Sequence, residues 1–518
     1  MKITNEKPWE KFYPQEFLDI SVPDMSLNDF LLMNKNMDDI AISYYNNNIT
    51  WREIIGKRDS VIKSLIMLGV QSGDQIVVFL QAVPEFLYLL LAADKLGISI
   101  VCRDGTLDEN VSAIVKSNSK VIFVHDYLPA DEEYYILKNT NIEHIIKVSP
   151  YESTLKSNVP DNNKDYINSL YQTEIINTSK DISWKEFLIL GKNIEYKLND
   201  VDFNSPLLCA YTTGTTGTSK QVIHSAHSII GILCQMCFYA ISDTKSTWLL
   251  TILPPSLIAI VVSMMLNPLA SNKILIMDPF CKVEDLDLEL MRYKPNCWAL
   301  IPMFIAVLLN SKRIPEDFDM SFLTSVGAGA EPMNNKQIHK MQEFLIKHNC
   351  HANFSIGYGM SEAGSNCTFP SPLGDIENCN YGIPMPLTTL SVFEPDTDNE
   401  LSYNEIGEIC KLGPGTMLGY DNKEVTDKTL VKHSDGNVWL HTGDIGYMDE
   451  NGVVHILNRG FTRRKDGGLL FALPMENKIA DVKGIERECL LKMCSAHSPT
   501  SKICDFKSGL AQQIYLKI

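Results

Sequence analysis

A chain of 518 residues is too long for one hydrophobic core and predicts two or more domains. Its composition, 45% hydrophobic and 21% charged, excludes disordered and fibrous classes. The formal net charge of −17 excludes nucleic acid as the main partner, because phosphate binding needs clustered Lys and Arg.

The N-terminus, MKITNEKPWEKFYP, carries no apolar leader, and the 13 cysteines are an odd number scattered along the chain. Both features predict reduced thiols in a cytoplasmic protein. Ile76–Leu80 reads as a buried strand and Glu85–Leu96 as the helix after it, with Val121–Val124 and His144–Val148 as further strands. Strands alternating with helices predict a parallel sheet covered on both faces. The Asn-, Ser-, Thr- and Asp-rich stretch Tyr151–Ser183 reads as a surface connection.

Cys234 and Cys237 form a lone CxxC in the apolar run GILCQMCFYA. With no second pair and no histidine beside them, core packing is favoured over metal or redox chemistry. No charged residue occurs from Ser246 to Asn272, yet Pro254-Pro255 interrupts the stretch and its flanks lack a positive bias. A buried strand, a turn and a buried helix fit it better than a stable membrane span. Lys273–Met277 and Trp298–Ile301 resume the buried-strand pattern. Toward the C-terminus, Leu390–Phe393, Gly407–Leu412, Val438–Leu440 and Val453–Leu457 predict a mostly β subdomain.

Chemistry concentrates in Tyr211-Thr-Thr-Gly-Thr-Thr-Gly-Thr-Ser-Lys220, directly after the apolar run Pro206–Ala210. Two glycines allow tight turns that present N–H groups to an anion, five threonines and a serine add hydroxyls, and Lys220 adds a cation. This is a phosphate cradle by composition, although not a Walker A loop, since Ser219 precedes Lys220 and Gln221 follows it.

Thr212–Lys220 resembles the signature loop of the AMP-forming adenylating enzymes, the superfamily of acyl-CoA synthetases, luciferases and peptide-synthetase adenylation domains. Ser219-Lys220-Gln221 stands where the family usually has Pro-Lys-Gly. Gly327-Ala-Gly-Ala-Glu-Pro332 resembles the family's adenine loop; read alone it is either a plain turn or a near-miss dinucleotide motif. Gly357-Tyr-Gly-Met-Ser-Glu362 is similar to the element whose aromatic ring stacks on adenine and whose glutamate holds Mg²⁺. His441-Thr-Gly-Asp444, followed by Gly446 and the Asp449–Gly452 turn, resembles the ribose-binding segment. Arg459 matches the second ribose contact, with Asn458 replacing the usual glycine. Lys7–Pro14 and Gly69–Asp74 are similar to the acyl-CoA synthetase branch.

The resemblance implies an α/β fold. A large AMP-binding domain would span residues 1–459, with a β-rich subdomain near 385–458, and a small, shortened α+β domain would span 460–518. It implies ATP, Mg²⁺ and coenzyme A, or a carrier-protein phosphopantetheine arm, as cofactors. Thr216, Lys220 and Glu362 would be catalytic, with Glu362 the metal ligand. The nucleotide would meet Thr212, Thr213, Gly214, Thr215, Thr216, Gly217, Lys220, Gly329, Ala330, Glu331, Gly357, Tyr358, Gly359, Met360, Ser361, Asp444 and Arg459.

Leu253–Met265 corresponds to the acid-pocket region. It holds no charge to pair with an amino-acid ammonium, and Leu257, Ile258, Ile260 and Val261 suit a fatty or aromatic acid; each could equally fill the core. Only 59 residues follow Arg459, and Thr462 stands at the hinge position. Pro474–Glu476 and Lys483–Glu486 resemble the start of the family's small domain. The family's late Gly-Lys has no match, since Lys507 precedes Ser508-Gly509 and Lys517 lies in the tail. Three readings therefore stay open: an acid–CoA ligase, intact or impaired; a ligase serving an acyl carrier protein or completed by a partner; and a non-catalytic nucleotide-binding relative.

Overall fold

The computed structural model describes residues 2–474, apart from 172, 198–199, 213–218, 238–245, 374–379, 461, 464–468 and 472–473. Thr213, Gly214, Thr215, Thr216 and Gly217, and most of the small domain including Lys483–Glu486, Lys507 and Lys517, lie outside the described residues. The architecture is mixed α/β. Two large, mainly parallel sheets come first, and an antiparallel sheet follows.

The first sheet has eight strands in the order Gly419–Tyr420, Gln221–Ser225, Pro206–Tyr211, Ser99–Cys102, Gln75–Phe79, Val121–His125, His144–Val148 and Asp181–Ser183. The second has seven, in the order Phe354–Ile356, Ser325–Ala328, Cys297–Leu300, Thr247–Leu250, Ile274–Met277, Ile40–Tyr44 and Asn47–Thr50. Continuous apolar runs such as Val121–His125 are buried along their whole length because helices cover both faces. The helix Pro84–Leu96 enters with proline in its first turn and exits through left-handed Gly97. It is buried on nearly every side, within a core to which both sheets contribute. Asp94 of this helix accepts the amides of Leu27 and Asn28, tying down the start of the helix Leu27–Leu32.

Two expectations needed correction. Tyr151–Ser183 is not only a surface connection. It contains the helix Asp161–Leu170 and the sheet-edge strand Asp181–Ser183. Asn163 of that helix is buried, and its amide donates to Asp278 at 2.8 Å and to the Phe280 carbonyl. A polar residue with such partners can enter a core at little cost, which composition alone does not disclose. The uncharged stretch 246–272 does contain a buried strand, but its helical part winds as a π-helix over Ile260–Leu266. Pro268, lacking an N–H, stands just after it, at the start of Asn267–Ala270. Among the described residues, no helix is long and apolar enough to cross a membrane.

The third sheet holds Thr389–Phe393, Gly407–Leu412 and Val438–Met448. Leu430–Lys432 and Val454–Arg459 also pair with Val438–Met448. That strand runs eight residues beyond the predicted Val438–Leu440 and carries the Thr442-Gly443-Asp444 segment inside it. Thr462 pairs with Leu470 in a short two-stranded ribbon.

Candidate functional site

Edges of the three sheets meet around Tyr358–Glu362. Each sheet contributes part of the neighbourhood by a different local device. In the second sheet, Ser325–Ala328 lies beside the edge strand Phe354–Ile356, and each strand ends in a glycine loop. The Gly357 amide donates to the Ala328 carbonyl at 3.0 Å, and the Gly329 amide to the Leu300 carbonyl. These bonds bring the Gly329–Glu331 loop beside Gly357, with Ala330 left-handed at φ 70° and, like Glu331, exposed.

Gly359 and Met360 then pair with Asn366 and Ser365. Glycine is required there, since a Cβ on residue 359 would sit 2.0 Å from the Ser365 carbonyl oxygen. This tight ribbon leaves Tyr358 and Glu362 buried on either side of it. Tyr358 donates its hydroxyl to Asp444 Oδ2 at 2.7 Å. Asp444 is the cross-strand partner of Arg459, whose Nε lies 3.8 Å from Oδ1. Burial pushes the Asp444 carboxyl above its ordinary range, against the opposing pull of Arg459 and the Tyr358 hydroxyl. Gly443, left-handed at φ 73°, and the Thr442 hydroxyl, which accepts the Asp444 amide, shape the turn that aims this carboxylate.

Glu362 faces the first sheet. Its carboxylate accepts the Tyr420 hydroxyl at 2.6 Å, and its carbonyl accepts the Met417 amide. Tyr420 belongs to the edge strand beside Gln221–Ser225, which follows Lys220, and the Lys220 ammonium sits 5.0 Å from the centre of the Tyr420 ring. Lys411, buried and lowered to about 8 by desolvation, braces the preceding turn through the Gly413 and Pro414 carbonyls and the Thr416 hydroxyl. The signature loop is closed at its base, where the Thr212 amide donates to the Lys220 carbonyl at 2.9 Å and the Ser219 hydroxyl to the Thr212 carbonyl.

Among the described residues, Tyr420 is the one hydrogen-bond donor to the Glu362 side chain, which leaves carboxylate oxygen for a hard cation such as Mg²⁺. The set as a whole offers a cation, a carboxylate and a buried aromatic ring beside a second carboxylate paired with arginine. Those groups suit the triphosphate, metal and sugar of a nucleotide.

A model of the AMP-binding enzyme family matches residues 32–421. The chain belongs to that family. Among curated relatives of this AMP-binding enzyme is a 4-coumarate–CoA ligase of Vanilla planifolia, 27% identical over 422 residues, which cover 79% of this chain and 69% of the relative. A probable 4-coumarate–CoA ligase of Dictyostelium discoideum is 26% identical, covering 77% of this chain and 70% of the relative. ATP-bound MatB from Rhodopseudomonas palustris shares the fold, with a TM-score of 0.72, 21% identity, and coverage of 89% of this chain and 84% of that one.

Within this AMP-binding enzyme the described members of the predicted set, Thr212, Lys220, Gly329, Ala330, Glu331, Gly357, Tyr358, Gly359, Met360, Ser361, Glu362, Asp444 and Arg459, fall on loops and edges around one neighbourhood. Three of the four residues assigned to the acid pocket, Ile258, Ile260 and Val261, are fully buried in the common core, while Leu257 is partly exposed. Those three are part of the core, the alternative that the sequence left open, and Leu257 packs against it.

Two residues were missed. Tyr420 joins Glu362 to Lys220, and its signal was only the Gly419-Tyr420 pair on a short strand. Buried His224 contacts the Ser361 carbonyl at 2.7 Å through Nε2. A carbonyl can only accept, so Nε2 carries the proton; desolvation holds this imidazole down at about 4, and it stays neutral while it pins the loop bearing Glu362.

Proposed function

We propose that the protein uses ATP to activate a carboxylic acid as an acyl-adenylate, releasing pyrophosphate, and then transfers the acyl group to the thiol of coenzyme A. In the first step a carboxylate oxygen attacks the α-phosphorus and pyrophosphate departs. In the second the thiolate attacks the acyl carbonyl and AMP departs. Such steps depend mostly on positioning and charge neutralisation. Lys220 and the hydroxyls of Thr212 and Thr216 hold the phosphates, and Glu362, fixed by Tyr420, holds Mg²⁺, which neutralises phosphate charge when bound. Asp444 accepts from the ribose hydroxyls and Arg459 donates to them, and the glycine loops at 329–331 and 357–361 flank the base with Tyr358.

One observation carries this reading. Tyr358 and Asp444, from different sheets, are joined by a hydrogen bond beside Arg459, while Lys220 and Glu362 share Tyr420. The family match and the CoA ligases among its relatives support the same chemistry. The uncharged stretch 246–272 supports a fatty or aromatic acid over an amino acid, since it offers no partner for a buried ammonium.

Hydroxylamine trapping with a panel of acids tests the reading. Hydroxamate formed with alkyl or aryl acids, and consumption of the adenylate on adding coenzyme A, is the expected result. Hydroxamate only with amino acids would overturn the acid class. Consumption by a carrier protein but not by coenzyme A would overturn the acceptor, and ATP binding without any hydroxamate would overturn the activity.

A further inference from the structure

The third sheet holds a second cluster of chemically competent side chains, on a face that the adenylation reading leaves without a role. Cys410 and His441 are direct cross-strand partners, and Glu408 projects from the same face as Cys410, two residues earlier. One ligand atom from each of these three residues lies within 4.8 Å of the other two. Glu408 Oε2 is 2.9 Å from His441 Nδ1, and the other ring nitrogen of His441, Nε2, is 2.9 Å from Nε2 of His433. Cys410 is fully buried, and Glu408 and His433 are nearly so.

We propose that Glu408, Cys410 and His441 form a binding site for a soft divalent transition ion, zinc by ligand type, with His433 as the positioning residue behind His441. A thiolate, an imidazole and one carboxylate oxygen are the ligands zinc prefers, and three protein ligands leave a fourth position for water. Tetrahedral zinc, with bonds of about 2.0–2.3 Å, needs ligand atoms roughly 3.2–3.7 Å apart, so the cluster closes on an ion by movements of about 1 Å.

The proton count is consistent. Without the ion, Glu408 accepts from Nδ1–H of His441, and His433 must donate from Nε2 to the remaining His441 lone pair. With the ion on Nδ1, His441 carries its proton on Nε2 and donates to His433, the outer hydrogen bond that metal-bound histidines almost always make. The Cys410 thiol proton is the one released.

His433 Nδ1 is buried with no hydrogen-bond partner among the described residues, as a bare lone pair without the ion and as an N–H with it. The rings are nonetheless held in place, His433 stacking on Trp439 at 5.8 Å and meeting Phe393 edge-on at 4.7 Å. A cavity of about 410 Å³ reaches His433 and Trp439; its wall carries the carboxylates of Asp398, Glu400 and Asp435 together with Lys2 and Lys7, and none of the three ligands lines it. The remaining oxygen of Glu408 accepts the Gly443 amide at 2.9 Å, so an ion here braces the turn carrying Asp444.

Zinc titration of the metal-stripped full chain against a competing chelator, with cobalt as spectroscopic probe, tests the site. We expect one tight equivalent and a thiolate-to-cobalt charge-transfer band. Both should be lost in Cys410→Ser, and affinity should fall about 10–100-fold in His433→Phe, which retains the ring packing but not the outer hydrogen bond. No band in the wild type, or a band that survives in Cys410→Ser, overturns the proposal. Should Cys410→Ser fail to fold by circular dichroism, His433→Phe decides, and unchanged affinity there overturns it. None of these readouts depends on ATP or acid turnover.

Discussion

The hydroxyl of Tyr358 donates to Oδ2 of Asp444 at 2.7 Å, joining the edge of a parallel sheet to an antiparallel one across 86 positions of sequence. The carboxylate is almost fully buried, and its other oxygen is 3.8 Å from the Arg459 Nε, within ion-pair range but too far for a hydrogen bond. A buried carboxylate satisfied on one side only is held ready for a ligand at the expense of stability.

Replacing Asp444 by Asn should therefore stabilise the fold and weaken nucleotide binding together. Since the folded carboxyl titrates above its ordinary value, its destabilising effect is absent in acid and grows as pH rises past that ordinary value. Denaturant melts of wild type and Asp444→Asn should converge in acid and separate at pH 7 with the variant more stable. The ATP KM of the variant should rise at least about tenfold, by loss of a charged hydrogen bond.

Tyr420→Phe isolates the link to Glu362. The ring under Lys220 remains, and only the hydroxyl that fixes the carboxylate is lost. We predict that kcat falls about tenfold, as for one hydrogen bond to a charged group, and that half-maximal Mg²⁺ concentration rises. Steady-state kinetics across a magnesium series measure both.

Gly359→Ala should abolish the site through backbone geometry alone. The added methyl would sit 2.0 Å from a carbonyl oxygen of the paired strand, and backbone cannot move aside cheaply. A stability loss of about 3 kcal/mol with loss of ATP binding is expected, measured by chemical unfolding and nucleotide titration.

How much of this could be read from the sequence differs residue by residue. The alternation of strands with helices predicts a parallel sheet, because strands buried on both faces read as near-continuous apolar runs, as Ile76–Phe79 and Val121–Val124 do; that there are two such sheets was not legible. Tyr358, Glu362, Asp444 and Arg459 were legible because each sits in a short motif. That Tyr358 touches Asp444 was not, since the contact depends on how two sheets dock. Tyr420 escaped notice for the same reason. For Ile258, Ile260 and Val261 position in the chain left pocket lining and core filling both open, and the structure places all three in the core, the last two on the π-helix.

Glu85 gives a prediction away from the site. It begins the buried helix Pro84–Leu96, and desolvation raises its carboxyl from 4.5 to about 7, the Ser153 hydroxyl opposing. Ionising it in the fold is costly, so the penalty is absent below about 4.5, grows up to about 7 and is complete above that. Glu85→Gln should match wild type at pH 4 and exceed it at pH 8 by on the order of 3 kcal/mol, read from urea midpoints at the two values.

The most direct measurement compares ATP with 2′,3′-dideoxy-ATP, in the presence of magnesium, on wild type and Asp444→Ala. If the ribose hydroxyls rest on Asp444 beside Arg459, wild type should favour ATP by about 10–100-fold and the variant should lose most of that preference. Equal binding of the two nucleotides by wild type, or a preference for ATP that is undiminished in Asp444→Ala, would contradict a nucleotide seated between Lys220 and Asp444.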